Sequence, residues 1–257
     1  MQPLTIVKVG GKIVEEASSL DGLLQRFSVL EGSKLLVHGG GRSATALAAQ
    51  LGIETKMVNG RRVTDAEMLK VVTMVYGGLV NKNIVAGLQA SGVNALGLTG
   101  ADMNIMRSEK RPVKEVDYGF VGDVKEVSAG LLSSLIGQGV VPVLAPLTHD
   151  KKGSLLNTNA DVIAGEAAMA LADFFDVTLV FCFEKKGVLS NEADDDSVIP
   201  VITPALYEQY VSQGVIQGGM IPKLDNAFES LRRGVKRVII TEASQLGKET
   251  GTTVVLQ

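Results

Sequence analysis

The ends of two apolar segments constrain the fold of this chain more than any other feature. Residues 4–9 form a mostly β-branched run that stops at Gly10-Gly11, and residues 34–37 form a run that stops at His38-Gly39-Gly40-Gly41. Apolar residues at helical spacing follow each glycine turn. A buried strand that leads through a glycine turn into a helix is typical of βαβ units, so the sequence predicts an α/β fold with a mainly parallel sheet.

The same alternation continues through the 257 residues. We predict further strands over residues 95–98, 140–144, 176–183, 236–240 and 252–256. We predict helices over residues 15–30, 44–51, 65–91, 159–172 and 219–234, with Asp65 as an N-cap. Residues 106–127 are charged and contain Pro112, which favours β-hairpins. The chain is expected to form one three-layer α/β/α sandwich, with lobes over about 1–155 and about 156–257.

Composition argues against several classes of function. The formal net charge of −3 does not suit a strongly basic nucleic-acid-binding protein. One cysteine and two histidines argue against a disulfide scaffold, a thiolate zinc site and a histidine-rich metal site, so we predict no metal site built from protein ligands. The N-terminus does not resemble a signal peptide, and no uninterrupted apolar run reaches the ~18 residues of a membrane helix. We therefore expect a cytoplasmic protein.

Glycine turns between strands and helices can bind anions. Those at Gly10-Gly11, Gly39-Gly40-Gly41 and Gly218-Gly219 would present unpaired backbone N–H groups, and the helix dipole favours an anion there. Any one of these turns is equally well explained as an ordinary strand end in an α/β chain. The dinucleotide-binding fingerprint lacks its acidic residue and no P-loop string occurs, so neither a Rossmann dehydrogenase nor a Walker-type ATPase is supported.

Two lysines lie in apolar surroundings. Lys8 interrupts the first strand, and Lys223 follows Pro222 near the start of a helix. A lysine in a buried strand is costly unless it is paired or meets an anion, although a side chain that reaches solvent at the strand end would also be tolerated. Asp161 is a candidate partner for both lysines, and this residue could instead cap a helix.

Five motifs, taken in order, resemble those of the amino acid kinase family. They are Lys8-Val9-Gly10-Gly11, Val37-His38-Gly39-Gly40-Gly41, Asn59-Gly60-Arg61-Arg62-Val63-Thr64, Asn157-Thr158-Asn159-Ala160-Asp161 and Gly219-Met220-Ile221-Pro222-Lys223. The resemblance spans nearly the whole chain. Within the family, the chain is most similar to members that phosphorylate an N-acylated glutamate in arginine biosynthesis.

The resemblance implies transfer of the γ-phosphoryl group of ATP, with Mg²⁺, to the γ-carboxylate of N-acetyl-L-glutamate. An ionised carboxylate is already a nucleophile at neutral pH, so this reaction requires no general base. Another N-acyl-glutamate such as N-succinyl-L-glutamate stays open as the substrate, and its second carboxylate would need another cation. Arg61, Arg107, Lys110 and Arg111 are cations without an assigned role. A ligand-sensing protein without turnover also stays open as a function, and an oxidoreductase does so more distantly.

The resemblance also implies roles for particular residues. Lys8 and Lys223 would contact the transferring phosphoryl group, and Asp161 would organise both lysines. The N-terminal lobe would bind the acylated amino acid, and the C-terminal lobe would bind ATP. The residues implied for binding the acylated amino acid are Gly40, Gly41, Arg62 and Asn157, with Arg62 on the α-carboxylate. The residues implied for binding ATP are Gly10, Gly11, Glu184, Lys185, Gly187, Leu189 and Gln217. The N–H groups of Gly10, Gly11 and Gly41 would hold phosphate oxygens.

Two features depart from parts of the family. The segment Phe183-Glu184-Lys185-Lys186-Gly187 stands where the family commonly has Ser/Thr-Asp-Val-x-Gly. Only seven residues precede Lys8, whereas the arginine-inhibited members carry an extra helix there. The resemblance therefore implies an arginine-insensitive homodimer rather than a hexamer.

Overall fold

The computed structural model describes residues 1–58, 60–248 and 250–257. Asn59, the first residue of one of the five motifs, lies outside the described residues. The strands are β1 (Gln2–Val9), β2 (Ser33–His38), β3 (Met57–Val58), β4 (Arg61–Arg62), β5 (Ala95–Leu98), β6 (Met106–Lys110), β7 (Gly122–Val127), β8 (Val141–Leu144), β9 (Leu147–His149), β10 (Leu155–Asn157), β11 (Phe175–Phe183), β12 (Val201–Ile202), β13 (Arg237–Glu242) and β14 (Thr252–Val254).

The α-helices are α1 (Gly11–Glu15), α2 (Ala17–Ser28), α3 (Gly41–Gln50), α4 (Ala66–Val72), α5 (Asn81–Ala90), α6 (Ala129–Gly137), α7 (Ala160–Leu171), α8 (Pro204–Ser212) and α9 (Met220–Arg232). A π-helical segment, Thr73–Val80, joins α4 to α5. Short 3₁₀ turns cover Asp102–Asn104 and Ala243–Gln245.

Within the described residues, eight strands form the central sheet in the order β12-β14-β13-β11-β1-β2-β8-β5. Neighbouring strands are parallel except for β13 and β14, which run antiparallel. Every strand predicted outside residues 106–127 belongs to this sheet. The prediction of a mainly parallel sheet is therefore confirmed.

Alternate residues of β1 enter two different hydrophobic cores, as the pleat of a strand requires. Leu4 and Ile6 belong to the core that is covered by α6, α7, α8 and α9. Val7 and Val9 belong to the core that is covered by α1, α2, α3 and the helix from α4 to α5. Helices thus cover both faces of the sheet, and the predicted three-layer α/β/α sandwich is confirmed.

A second, four-stranded sheet has the order β10-β9-β6-β7. β6 and β7 pair antiparallel, which confirms the hairpin predicted within residues 106–127. Sequence patterns did not predict β9, β10, β12, the β3–β4 hairpin or the helices α6 and α8. These strands are two or three residues long, which is too short for an alternating apolar pattern to mark them. The helix α8 has no fully buried residue to mark a helical period.

Two predicted helices differ from the structure in detail. The helix predicted over 15–30 is observed as α2, which begins at Ala17 because Glu16 has an extended backbone that separates it from α1. The helix predicted over 65–91 is continuous over Ala66–Ala90, and Asp65 caps it by accepting a hydrogen bond from the Met68 N–H at 2.8 Å. This helix is long and apolar enough by composition to cross a membrane, yet its buried side chains pack in the second core.

Candidate active site

Lys8 lies on the face of β1 that also carries Leu4 and Ile6, so its side chain extends toward the helices of the first core. Its Nζ forms an ion pair with Asp161 Oδ1 at 2.7 Å, and Lys223 Nζ donates to Asp161 Oδ2 at 2.8 Å. Asp161 belongs to the first turn of α7, and Lys223 lies near the start of α9. One carboxylate therefore bridges two ammonium groups that come from opposite ends of the chain.

Asn159, rather than Asp161, caps α7. Its Oδ1 accepts hydrogen bonds from the backbone N–H groups of Asp161 at 2.8 Å and Val162 at 3.3 Å. The suggestion that Asp161 caps a helix is therefore wrong. Because Asn159 satisfies the helix end, both carboxylate oxygens of Asp161 contact the lysines.

Opposing effects act on the charges of this cluster. Burial alone would raise the pKa of Asp161, but the ammonium groups of Lys8 and Lys223 outweigh burial and hold that pKa well below its ordinary range. Burial lowers the pKa of Lys223, and Asp161 partly opposes this effect. The Lys223 ammonium also lies 4.8 Å from the centre of the Phe181 ring. Two protonated lysines and one carboxylate carry a net positive charge, which suits the cluster to an anion.

The first two glycine turns lie side by side. A Cβ on Gly11 would stand 3.5 Å from the backbone nitrogens of Gly40 and Gly41. Gly41 begins α3, and the first N–H groups of a helix have no partner within it. Glu15 caps the same turn by accepting a hydrogen bond from the Ser43 N–H at 2.6 Å. The backbones of the two turns thus lie against each other at the start of α3, and a helix start is where an anion is favoured.

The N–H of Gly10 does not suit the phosphate contact that the resemblance implies. It donates to the carbonyl oxygen of Cys182 at 3.0 Å and so continues the pairing of β1 with β11. This donor is therefore occupied. The phosphate contacts implied for the N–H groups of Gly11 and Gly41 stay predictions.

A cavity of about 200 Å³ opens beside these turns, and we call it the substrate cavity. All four residues implied for binding the acylated amino acid line it, namely Gly40, Gly41, Arg62 and Asn157. The buried guanidinium of Arg62 donates from Nη2 to the Gly41 carbonyl oxygen at 2.8 Å and to Thr45 Oγ1 at 2.9 Å. Asn157 Nδ2 donates to Thr64 Oγ1 at 3.0 Å. The cavity therefore has one cation in a fixed position.

A second cavity of about 290 Å³ lies near the end of β11. Four of the residues implied for binding ATP line it, namely Lys185, Gly187, Leu189 and Gln217. Glu184 instead lines a separate cavity beside α1 and α2. Lys185 forms an ion pair with Asp195 at 2.7 Å, and Lys186 pairs with Asp196. Lys185, which departs from the family pattern, and its neighbour Lys186 are thus held by acidic residues of the same chain.

A third cavity of about 590 Å³ adjoins the substrate cavity and is lined by Asp161, the carboxylate that lies between Lys8 and Lys223. It shares Arg61 and Asn159 with the substrate cavity, and Asp161 lines it together with Gly218-Gly219. Residues of three motifs that lie far apart in the sequence, represented by Arg61, Asp161 and Pro222, therefore line one cavity.

Protein ligands for a metal ion are scarce in the part of the chain that the structure describes. No group of three or more His, Cys, Asp or Glu side chains there could hold a metal ion. Asp161, the acidic residue of the cluster, has both oxygens on lysines. A Mg²⁺ ion at this site would therefore depend on phosphate oxygens of a bound nucleotide for its ligands.

Sequence reasoning missed Tyr76 as a residue of the site. Tyr76 lines the substrate cavity, and its Cδ1 lies 2.9 Å from the position that a Cβ on Gly40 would take. In the sequence it is one of many apolar residues of a long helix. The adjacent Gly77-Gly78 is the local sign that this part of the helix is unusual.

Comparison with known proteins supports the resemblance of the five motifs. The family model described as "Amino acid kinase family" matches residues 3–242. The chain belongs to this family. Membership of the amino acid kinase family confirms the expectation drawn from the motifs, and it agrees with the α/β/α architecture of the structure.

Proteins named acetylglutamate kinase are similar to this chain over nearly its full length. The one from Phocaeicola vulgatus is 73% identical over 253 residues, which cover 98% of each chain. The one from Methanopyrus kandleri is 40% identical over 256 residues, which cover 98% of this chain and all of that protein.

Solved structures of the amino acid kinase fold also superpose on the chain. A Streptococcus mutans protein matches with a TM-score of 0.83 and 28% identity, covering 99% of both chains. Carbamate kinase from Giardia lamblia bound to AMP-PNP matches with a TM-score of 0.68 and 15% identity, covering 99% of this chain and 98% of that chain. At 15% identity, the second match shows the fold alone.

Proposed function

We propose that this chain transfers the γ-phosphoryl group of ATP to the γ-carboxylate of N-acetyl-L-glutamate, as a step of arginine biosynthesis. The observation that carries the proposal is the bridge from Asp161 to Lys8 and Lys223, next to a cavity that holds a fixed arginine. Relatives that are 69–73% identical are named acetylglutamate kinase, which supports this choice of substrate.

The chemistry suits the residues of the cluster. The acceptor carboxylate attacks without a general base, so the protein has to hold two anions together and stabilise the charge of the moving phosphoryl group. Lys8 and Lys223 supply positive charge for that task. Asp161 holds the two ammonium groups at fixed positions and offsets their mutual repulsion.

The substrate cavity and the cavity near β11 suit the two substrates. Arg62 would pair with the α-carboxylate of the amino acid, because a guanidinium binds a carboxylate through two parallel hydrogen bonds. The N–H groups of Gly11 and Gly41 would hold phosphate oxygens between the glycine turns. Lys185, Gly187, Leu189 and Gln217 would contact the nucleotide. A Mg²⁺ ion on the phosphates would neutralise part of their charge.

Arg61 supports N-succinyl-L-glutamate as a second candidate substrate. It lines both the substrate cavity and the adjoining third cavity, where a cation could meet the extra carboxylate of a succinyl group. Two of the remaining unassigned cations have acidic partners: Arg107 pairs with Glu126 and Arg111 pairs with Asp123. Arg61 is therefore the cation to test for discrimination between acyl groups.

The decisive experiment measures ATP consumption with Mg²⁺ and, in parallel, N-acetyl-L-glutamate, N-succinyl-L-glutamate and L-glutamate. Hydroxylamine trapping of the acyl phosphate would identify the product. Turnover with N-acetyl-L-glutamate supports the proposal, and turnover with N-succinyl-L-glutamate alone transfers it to the second substrate. Binding without turnover contradicts kinase function and favours a ligand-sensing protein.

We further propose that the protein is a cytoplasmic homodimer. Met74 and Leu79 are more than half exposed on the π-helical segment, in which residues five apart are joined by i→i+5 hydrogen bonds. β5 is the edge of the central sheet, and Leu96 is exposed on it. Apolar side chains on one helix and a neighbouring sheet edge are suited to burial against a second copy of the chain.

A further inference from the structure

Tyr76 forms part of the wall of the substrate cavity and is 5% exposed. A Cβ on Gly40 would stand 2.9 Å from Tyr76 Cδ1, 3.2 Å from Tyr76 Cε1 and 3.4 Å from Val80 Cγ2. The ring therefore lies directly against the backbone of Gly40, and any larger residue at position 40 would displace it.

The π-helical segment is fixed relative to this glycine turn. Asn81, the first residue after the segment, donates from Nδ2 to the Val143 carbonyl oxygen at 2.9 Å and lies 3.1 Å from His38 Nε2. His38 Nδ1 in turn lies 2.7 Å from the carbonyl oxygen of Gly39. A helix with π geometry is rare and is frequently found at functional sites. Here the π-helical segment holds the Tyr76 ring against the Gly39-Gly40-Gly41 turn.

The cation of the cavity lies close enough to Tyr76 to act on its phenol. Burial raises the pKa of the Tyr76 phenol, and the nearby guanidinium of Arg62 partly offsets that rise. Arg62 itself is bonded to the carbonyl oxygen of Gly41. The turn Gly40-Gly41 thus contacts Tyr76 through Gly40 and Arg62 through Gly41, and all four residues line one cavity.

We propose that Tyr76 is a positioning residue for the acylated amino acid, holding the Gly40-Gly41 turn and the guanidinium of Arg62 at the distance that the substrate requires. This inference rests on the proposed function. Because the ring contacts the substrate cavity and not the cavity near β11, its loss acts on binding of the amino acid rather than of ATP.

Steady-state kinetics of Tyr76→Phe and Tyr76→Leu tests this role. Tyr76→Leu removes the wall and is expected to raise KM for the acylated glutamate about tenfold or more, with KM for ATP changed less than about twofold. Tyr76→Phe keeps the ring and removes the hydroxyl beside Arg62, so a smaller rise of about threefold is expected. Tyr207→Phe is the matched control. It also removes one tyrosine hydroxyl, but from α8, where Tyr207 donates to Asp225 at 2.7 Å.

The outcomes separate this inference from the proposed function. No turnover by the unaltered protein with any N-acyl-glutamate contradicts the proposed function. Turnover by that protein combined with an unchanged KM in Tyr76→Phe and Tyr76→Leu contradicts the role of Tyr76 alone, and so does an equal rise in KM for ATP. Circular dichroism checks the folding of each variant, and Tyr76→Phe decides the matter if the leucine variant does not fold.

Discussion

Asp161 is the residue on which the proposed chemistry most depends. Two cations hold its pKa well below the ordinary carboxyl range, although burial acts in the other direction. Since this pKa is lower in the folded protein than in the unfolded chain, the carboxylate contributes stability at neutral pH. That contribution is lost as the pH falls below the ordinary carboxyl pKa toward the folded value. The charge that organises Lys8 and Lys223 is therefore secure throughout the neutral range.

Replacement of Lys223 by alanine should separate catalysis from binding. Lys223→Ala is expected to lower kcat by about 10²–10³ with a much smaller change in KM, because its charge acts on the moving phosphoryl group. Steady-state kinetics with both substrates measures this. Lys70→Ala is the control, since Lys70 is exposed and pairs with Glu67 at 2.7 Å. A change in KM without a fall in kcat would contradict the role of Lys223 in stabilising the transition state.

Because His38 is buried, we expect the free energy of unfolding to depend on pH. Burial lowers its pKa to about 4, so it is neutral in the folded protein at pH 5 to 7. The unfolded chain takes up this proton near the ordinary pKa, so the free energy of unfolding should fall as the pH drops from about 6.5 to about 4, by about 3 kcal/mol. Denaturant titrations of His38→Gln should show a shallower fall. His149→Gln keeps His38 and is expected to keep the full effect.

Close packing of α7 against α9 brings Asp161 and Lys223 together. Gly165 of α7 faces Asn226 of α9, and a Cβ at position 165 would collide with the Asn226 side-chain amide. Asn226 Nδ2 also donates to the carbonyl oxygen of Asp161 at 3.2 Å. The missing side chain at Gly165 thus lets Lys223, on the same helix as Asn226, reach Asp161.

Gly165→Ala should therefore damage both stability and catalysis. It is expected to lower the free energy of unfolding by about 1–3 kcal/mol, as overpacking does, and to lower kcat. Gly22→Ala is the matched control: nothing lies within 4 Å of its Cβ position in α2, and alanine should raise stability there by about 0.5–1 kcal/mol. Thermal unfolding and kinetics of both variants measure this, and normal kinetics in Gly165→Ala would contradict the packing argument.

At the scale of the whole molecule, the proposed homodimer gives a prediction about mass. Light scattering should report about twice the 27.1 kDa of the chain. Leu79→Glu places a charge on the exposed apolar face of the π-helical segment and should shift the protein toward the monomer. Val29→Glu, at an exposed position after α2, should leave the mass unchanged. A monomeric mass for the unaltered protein would contradict the dimer.

Local patterns in the sequence were enough for most of the architecture. Apolar runs located the strands of the central sheet, because a buried strand needs apolar residues on both faces, and glycine turns marked the ends of the first two. Asp65 marked its helix start, because an N-cap is a contact between near neighbours. Motif resemblance added the candidate residues Lys8, Asp161 and Lys223, which the fold then brought together.

Contacts between residues far apart in the sequence decided which side chains and donors face the cavities. Tyr76 reaches the substrate cavity because the π-helical segment is held in register by Asn81 and β8, and the residues around it in sequence do not specify that contact. The N–H of Gly10 is occupied by Cys182, a partner supplied by a strand far along the chain. The sequence by itself determined the longer strands of the central sheet and most of the helices that cover it, because local patterns specify them. The tertiary structure decided the order of the strands in the sheet and which donors and side chains face the cavities, because those contacts join residues distant in sequence.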